Sequence, residues 1–168
     1  MPMSTEKVPE PIPNAQHNKQ LPTYLPNDQL LSACEYGSLP QVQQAVAEGA
    51  DVNCLESTGW TPVMLAILHN HNDVVNWLLD LETVDVNYGQ TYGTTLHTAC
   101  WISDNEEVVT RVAIKSDNVN ALNSNGYTPA QLAIYKGNKR GVLGLLPVLG
   151  VDWEIMNSHG ESLLDTAR

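Results

Sequence analysis

Gly59-Trp60-Thr61-Pro62-Val63-Met64-Leu65-Ala66 returns in altered form as Gly126-Tyr127-Thr128-Pro129-Ala130-Gln131-Leu132-Ala133. Between them stands Thr94-Thr95-Leu96-His97-Thr98-Ala99, without the proline but with a histidine. Asp28, Thr61, Thr94, Thr128 and Ser162 each precede an alanine (Ala33, Ala66, Ala99, Ala133, Ala167) by five residues, at steps of 33, 33, 34 and 34. A period of that size marks one supersecondary unit that cannot bury its apolar face alone and must stack on its neighbours. The chain therefore reads as a linear array. Arrays of this kind usually offer a surface to another macromolecule.

Each unit has a physical reading. A Thr or Ser followed by Pro starts a helix, because the hydroxyl caps free N–H groups and Pro suits the first helical position. Asp28 is expected to cap the first unit in the same way. Leu65-Ala66-Ile67 and Leu132-Ala133-Ile134 give short helices of modest girth that neighbours can approach closely. A polar turn, Asn70-His71-Asn72-Asp73, leads to Val74-Val75-Asn76-Trp77-Leu78-Leu79, whose apolar residues recur at helical spacing. The stretches 51–61, 85–94, 118–128 and 152–162 hold Gly, Ser, Thr and Asn and are expected to protrude as hairpin-like fingers.

These motifs resemble the ankyrin signature G-x-T-P-L-H-x-A. The companion Gly-Ala-Asp-Val-Asn element is complete at Gly49-Ala50-Asp51-Val52-Asn53 and partial at Asp85-Val86-Asn87 and Asn118-Val119-Asn120. By the last full unit it has become Gly150-Val151-Asp152-Trp153-Glu154. The resemblance implies an all-α repeat fold, an ankyrin-repeat solenoid of helix-turn-helix units with β-hairpin-like fingers. It covers residues 27–168, with repeats at about 27–59, 60–92, 93–126 and 127–160 and a half repeat at 161–168. It further implies that His97 makes a structural hydrogen bond to a neighbouring finger. Asn53, Asn87 and Asn120 stand where an asparaginyl hydroxylase can modify such repeats; the alternative for them is a bond that braces the finger.

Residues 1–26 hold six of the ten prolines without apolar periodicity and read as a disordered lead. Within it Leu21-Pro22-Thr23-Tyr24-Leu25-Pro26 is an alternative docking peptide for the first repeat. At the other end 160–168 reads as a first helix without a second, either a terminal cap or the start of further sequence, the latter favoured. Gly141, Gly144 and Pro147 weaken the last full unit's second helix. They either admit a bulky neighbour from unit three or leave a soft end for a partner, the former favoured.

Net charge is −11, and between Leu21 and Thr110 twelve acids occur with no Lys or Arg. Such a stretch repels phosphate backbones and anionic lipid surfaces, which argues against nucleic-acid and membrane partners. Glu106 and Glu107 near a helix start suit the helix dipole. Cys34 and Cys100 share one repeat position as small core residues, two units and roughly 20 Å apart by the spacing of packed helices, too far for a disulfide. Cys54 is expected as an exposed thiol in the first finger. An odd cysteine count without a framework suits a reducing site, cytoplasmic or nuclear. No phosphate-binding glycine loop, paired C-x-x-C or H-E-x-x-H occurs. His69 and His71, two residues apart, do not share a helical face. Neither catalysis nor a cofactor or metal is expected.

In ankyrin arrays the finger tips and the exposed ends of the first helices line a concave groove that contacts partners. Carried onto this chain, those positions include Tyr36, Trp60, Leu68, His69, Trp101, Ile102, Tyr127 and Tyr135. The fold demands no aromatic there, yet five are Trp or Tyr, which suits recognition. The alternative is that Trp101 and Tyr135 pack between adjacent first helices. The expected function is that of a monomeric, non-catalytic interaction module. Its partner is another protein, carrying a basic segment with apolar anchors. Alternatives are an inhibitor masking such a segment, a substrate-recognition adaptor, or the targeting region of a larger enzyme.

Overall fold

The structure, a computed structural model, describes residues 25–89 and 93–166. Most of the proline-rich lead, including the start of the 21–26 docking stretch, lies outside these residues, as do residues 90–92 of the second finger and Ala167. Helices occur in pairs: α1 (Pro26–Tyr36) with α2 (Leu39–Ala47), α3 (Pro62–Leu68) with α4 (Asn72–Asp80), α5 (Thr95–Ile102) with α6 (Glu106–Lys115), and α7 (Pro129–Tyr135) with α8 (Lys139–Leu145). α9 (Leu163–Thr166) opens a further unit. First helices pack in series from α1 to α3, α5, α7 and α9, and second helices from α2 to α4, α6 and α8, giving two layers.

Sandwiching explains the difference between the layers. α3 buries every residue from Pro62 to Ile67 and α5 every residue from Thr95 to Cys100, because each has helices on both sides. α4 and α6 each bury one face, Val74, Val75, Leu78 and Leu79 in the one and Val108, Val109, Val112 and Ala113 in the other. That is the expected amphipathic stripe.

The two Thr-Pro helix starts follow the capping logic, and the start of the first unit does not. Thr61 Oγ1 accepts from the Met64 N–H at 3.3 Å, and Thr128 Oγ1 from Gln131 at 3.2 Å. Asp28 does not cap α1. Pro26 takes the first helical position and moves the start two residues upstream of Asp28, so Leu25 is the N-cap and offers no side-chain bond. Asp28 falls instead in the first turn.

No strand occurs among the described residues, and the fingers are turns. Their hairpin character rests on isolated backbone bonds: Glu56 N–H to the Trp60 carbonyl, Asn123 to Tyr127 and Asn157 to Glu161, at 2.9 to 3.0 Å. Gly59 and Gly126 close two of these turns at φ of 90° and 80°, a conformation that L side chains avoid.

The glycines of α8 answer to packing. A Cβ on Gly144 would lie 2.5 Å from the Glu106 carbonyl oxygen and 2.6 Å from Val109 Cβ; one on Gly141 would lie 2.7 Å from the Cys100 carbonyl. Their missing side chains let α8 press against unit three, the first of the two alternatives above.

Candidate functional site

Side-chain amides and imidazoles tie each unit to the next and thereby set the finger positions. Asn53 Oδ1 accepts from the Asp85 N–H and its Nδ2 donates to the Thr83 carbonyl, both at 2.8 Å. Asn87 accepts from Asp117 at 2.8 Å, and Asn120 accepts from Asp152 at 2.9 Å while donating to Gly150 at 2.7 Å. All three asparagines thus brace a finger, and Asn27 does the same for Asp51 at 2.8 Å. His97 is buried and uses both ring nitrogens. The Thr94 N–H donates to Nδ1 at 3.1 Å, and Nε2 donates to the Tyr127 carbonyl at 3.1 Å, which is the bond to the neighbouring finger. Burial holds its pKa down at about 4, against two backbone bonds that favour the charged form.

With the fingers fixed, Trp60, Leu68, Trp101 and Ile102 converge with Thr98 on one pocket of about 240 Å³ between units two and three. Trp101 and Ile102 are each 37% exposed at the end of α5. A second cluster lies in unit four. Tyr127 and Tyr135 have ring centroids 5.9 Å apart, and Tyr127 stands 5.9 Å from His159 on its other contact. Lys136 links the clusters, its ammonium 4.6 Å from the Trp101 ring and 5.7 Å from Tyr135. Trp101 and Tyr135 are therefore neither sealed between first helices nor isolated. Tyr36 is 77% exposed at the end of α1 and does not line the pocket.

Three expectations need correction or completion. Cys54 is buried rather than an exposed thiol, because the finger base folds it into the core beside Val52. His69 and His71 do come together, rings stacked at 6.1 Å, since they sit in the turn between α3 and α4 where helical spacing does not apply. His71 Nε2 is bonded to the Glu35 carbonyl at 2.9 Å. No group of three or more His, Cys, Asp or Glu is placed to hold a metal among the described residues. Thr98 and His159 complete the aromatic face without having been named for it, and Lys136 joins it from the groove position beside Tyr135. Thr98 had a visible signal, because it stands where units two and four carry Leu65 and Leu132. The shorter side chain leaves the space that the pocket occupies.

Paired helices stacked in two layers, tied by side chains that reach the next unit's backbone, define a helical repeat protein whose exposed face is built by successive units. The model for ankyrin repeats (3 copies) matches residues 30–120, more than half of the chain, and the chain belongs to the ankyrin repeat family. It is 32% identical over 145 residues to a mitochondrial disaggregase of Bos taurus, covering 83% of this chain and 21% of that protein. Similarity to the ARF GTPase-activating protein Git of Drosophila melanogaster is 38% over 68 residues, 40% of this chain and 9% of Git. The 2-5A-dependent ribonuclease of Mus musculus is 43% identical over 51 residues, 30% of this chain and 7% of the enzyme. The chain thus spans a small part of each relative's length. Ankyrin repeats generally mediate protein–protein interaction. No helix among the described residues is long and apolar enough to cross a membrane.

Proposed function

We propose that this chain is a non-catalytic module that binds a segment of another protein along the face running from Trp60 and Trp101 to Tyr127 and Tyr135. The observation that carries this reading is the pocket of Trp60, Leu68, Trp101 and Ile102, an apolar recess at positions the fold leaves free. Rings there serve binding better than solubility. Acids without a compensating base over 21–110 favour a basic partner segment and speed its encounter at low salt. Three buried free cysteines support a reducing cytoplasmic or nuclear site.

Replacing Trp101 and Tyr127 together by Ala is expected to weaken binding to the natural partner at least about tenfold, near 1.4 kcal/mol, with little change in melting temperature. Normal binding combined with early unfolding would assign those rings to the core and refute the proposal. The names of the relatives favour a second reading, in which this array is the targeting region of a larger enzyme. Hydroxylation at Asn53, Asn87 or Asn120 is a further proposal. Each amide is already bonded, so modification requires a finger to open, and intact mass after incubation with an active asparaginyl hydroxylase should rise by one oxygen. An unchanged mass removes it.

A further inference from the structure

We infer that the pocket between units two and three is the seat for one large apolar side chain of a partner segment whose basic residues lie on the side of units one and two. This rests on the partner-binding reading above and specifies what that face recognises.

Size argues first. Pockets for cofactors and drug-sized ligands run to about 300–1,000 Å³. At about 240 Å³ this recess is too small for most of them and suits a single aliphatic or aromatic side chain. Its walls are the two indoles of Trp60 and Trp101 with Leu68 and Ile102, the apolar and aromatic lining that anchor residues select. The pocket exists because Thr98 replaces the leucine of units two and four, so the third unit departs from its own repeat where an anchor would enter. The Thr98 hydroxyl is buried and has no hydrogen-bond partner among the described residues, so nothing in the stack explains its polarity.

Charge gives the occupant its direction. Every pocket residue falls within 21–110, the stretch with no Lys or Arg, and exposed Asp104 follows Ile102 by two residues. On the other side the ammonium of Lys136 already lies over Trp101 and Tyr135, which opposes a second cation there. A bound segment therefore carries its positive charge toward units one and two. The side facing Lys136 takes a neutral or acidic residue. Because a segment lying in a groove has one chain direction, its basic residues must fall on one side of the anchor in sequence.

Selection of short random peptides displayed on phage against the whole chain tests this, with Thr98→Leu and Ile102→Trp as blocked variants. The first restores the residue that units two and four carry, and the second adds bulk at a half-exposed position, so either serves if the other fails to fold. Enriched peptides are expected to share one large apolar residue with Lys or Arg on one side of it. Synthetic copies should bind both blocked variants at least about tenfold more weakly. With Lys136→Glu the one-sidedness should disappear. Equal selection by parent and blocked variants, no enrichment over them, or enrichment of acidic peptides each overturns the inference. Peptides kept by the blocked variants but lost on replacing Tyr127 and Tyr135 by Ala would overturn the pocket assignment and leave the broader partner-binding reading standing.

Discussion

His97 makes the array acid-sensitive, and His97→Gln should remove that sensitivity while keeping the fold. The neutral ring accepts at Nδ1 from Thr94 and donates from Nε2 to Tyr127. A proton on Nδ1 would face the Thr94 N–H, donor against donor, and would place a charge in the core. Burial lowers the folded-state pKa from 6.5 to about 4. Between those values the unfolded chain binds a proton that the folded chain refuses. The stabilisation is therefore complete above pH 6.5 and drains away as pH falls toward 4. Each pH unit in that window removes about 1.4 kcal/mol, roughly 3 kcal/mol across it. Gln131 shows that glutamine can fill the role. At the same position of unit four its Oε1 accepts from the Thr128 N–H at 3.0 Å, and its Nε2 donates to the Ile155 and Glu161 carbonyls at 3.2 Å. Urea unfolding followed by circular dichroism near neutrality should place His97→Gln within about 1 kcal/mol of the parent. Near pH 5 the variant should have gained about 2 kcal/mol relative to it. Carboxylates and the other histidines are common to both proteins and cancel. Parallel decline of the two proteins with acid would refute the reasoning.

Gly144→Ala should destabilise by about 1–2 kcal/mol in a melting experiment, because overpacking against Glu106 and Val109 outweighs the propensity gain of roughly 1 kcal/mol. A stabilised variant would show that α8 is free to shift. Burial pushes the Cys34 thiol up to about 12, with Cys54 adding to it, and the Cys54 thiol up to about 11, with Asp51 adding to it; burial raises Cys100 as well. Iodoacetamide at neutral pH should therefore leave all three cysteines unmodified in the folded chain and label all three in urea. Rapid labelling of Cys54 alone would mean that the first finger opens.

The fold was legible because its devices are local and repeated. Thr61 and Thr128 cap because a hydroxyl before Pro has few other uses, and the apolar stripe of α4 can be counted off the sequence. Asp28 misled because its phase in the repeat was right while Leu25-Pro26, outside the period, set the helix start. Cys54 misled because a finger position says nothing about which way the finger base turns. For the aromatic face, phase identified which positions are free, but not which side chains meet. Trp60 and Trp101 are far apart in sequence and share a pocket only because α3 and α5 pack side by side. The participation of His159 depends on a ring contact within unit four and that of Lys136 on its approach to Trp101 of unit three, and no spacing rule encodes either.

The way the units are tied together explains why this face can be specialised at all. Asn53, Asn120, His97, Gln131 and His71 each reach backbone groups of an adjacent unit, and so does Asn138, which donates to the Cys100 and Ser103 carbonyls at 2.9 and 3.0 Å. A backbone carbonyl is present whatever side chain follows it. The Tyr127 carbonyl receives the His97 bond, yet the Tyr127 ring is spent on Tyr135 and His159. The Glu35 carbonyl receives His71 while the Glu35 side chain remains exposed. Braces of this kind decouple stability from the identity of the groove residues. Substitution of a ring on this face should therefore alter recognition with a small effect on the stack, whereas removing the brace by replacing His97 or a bracing asparagine with Ala should do the reverse.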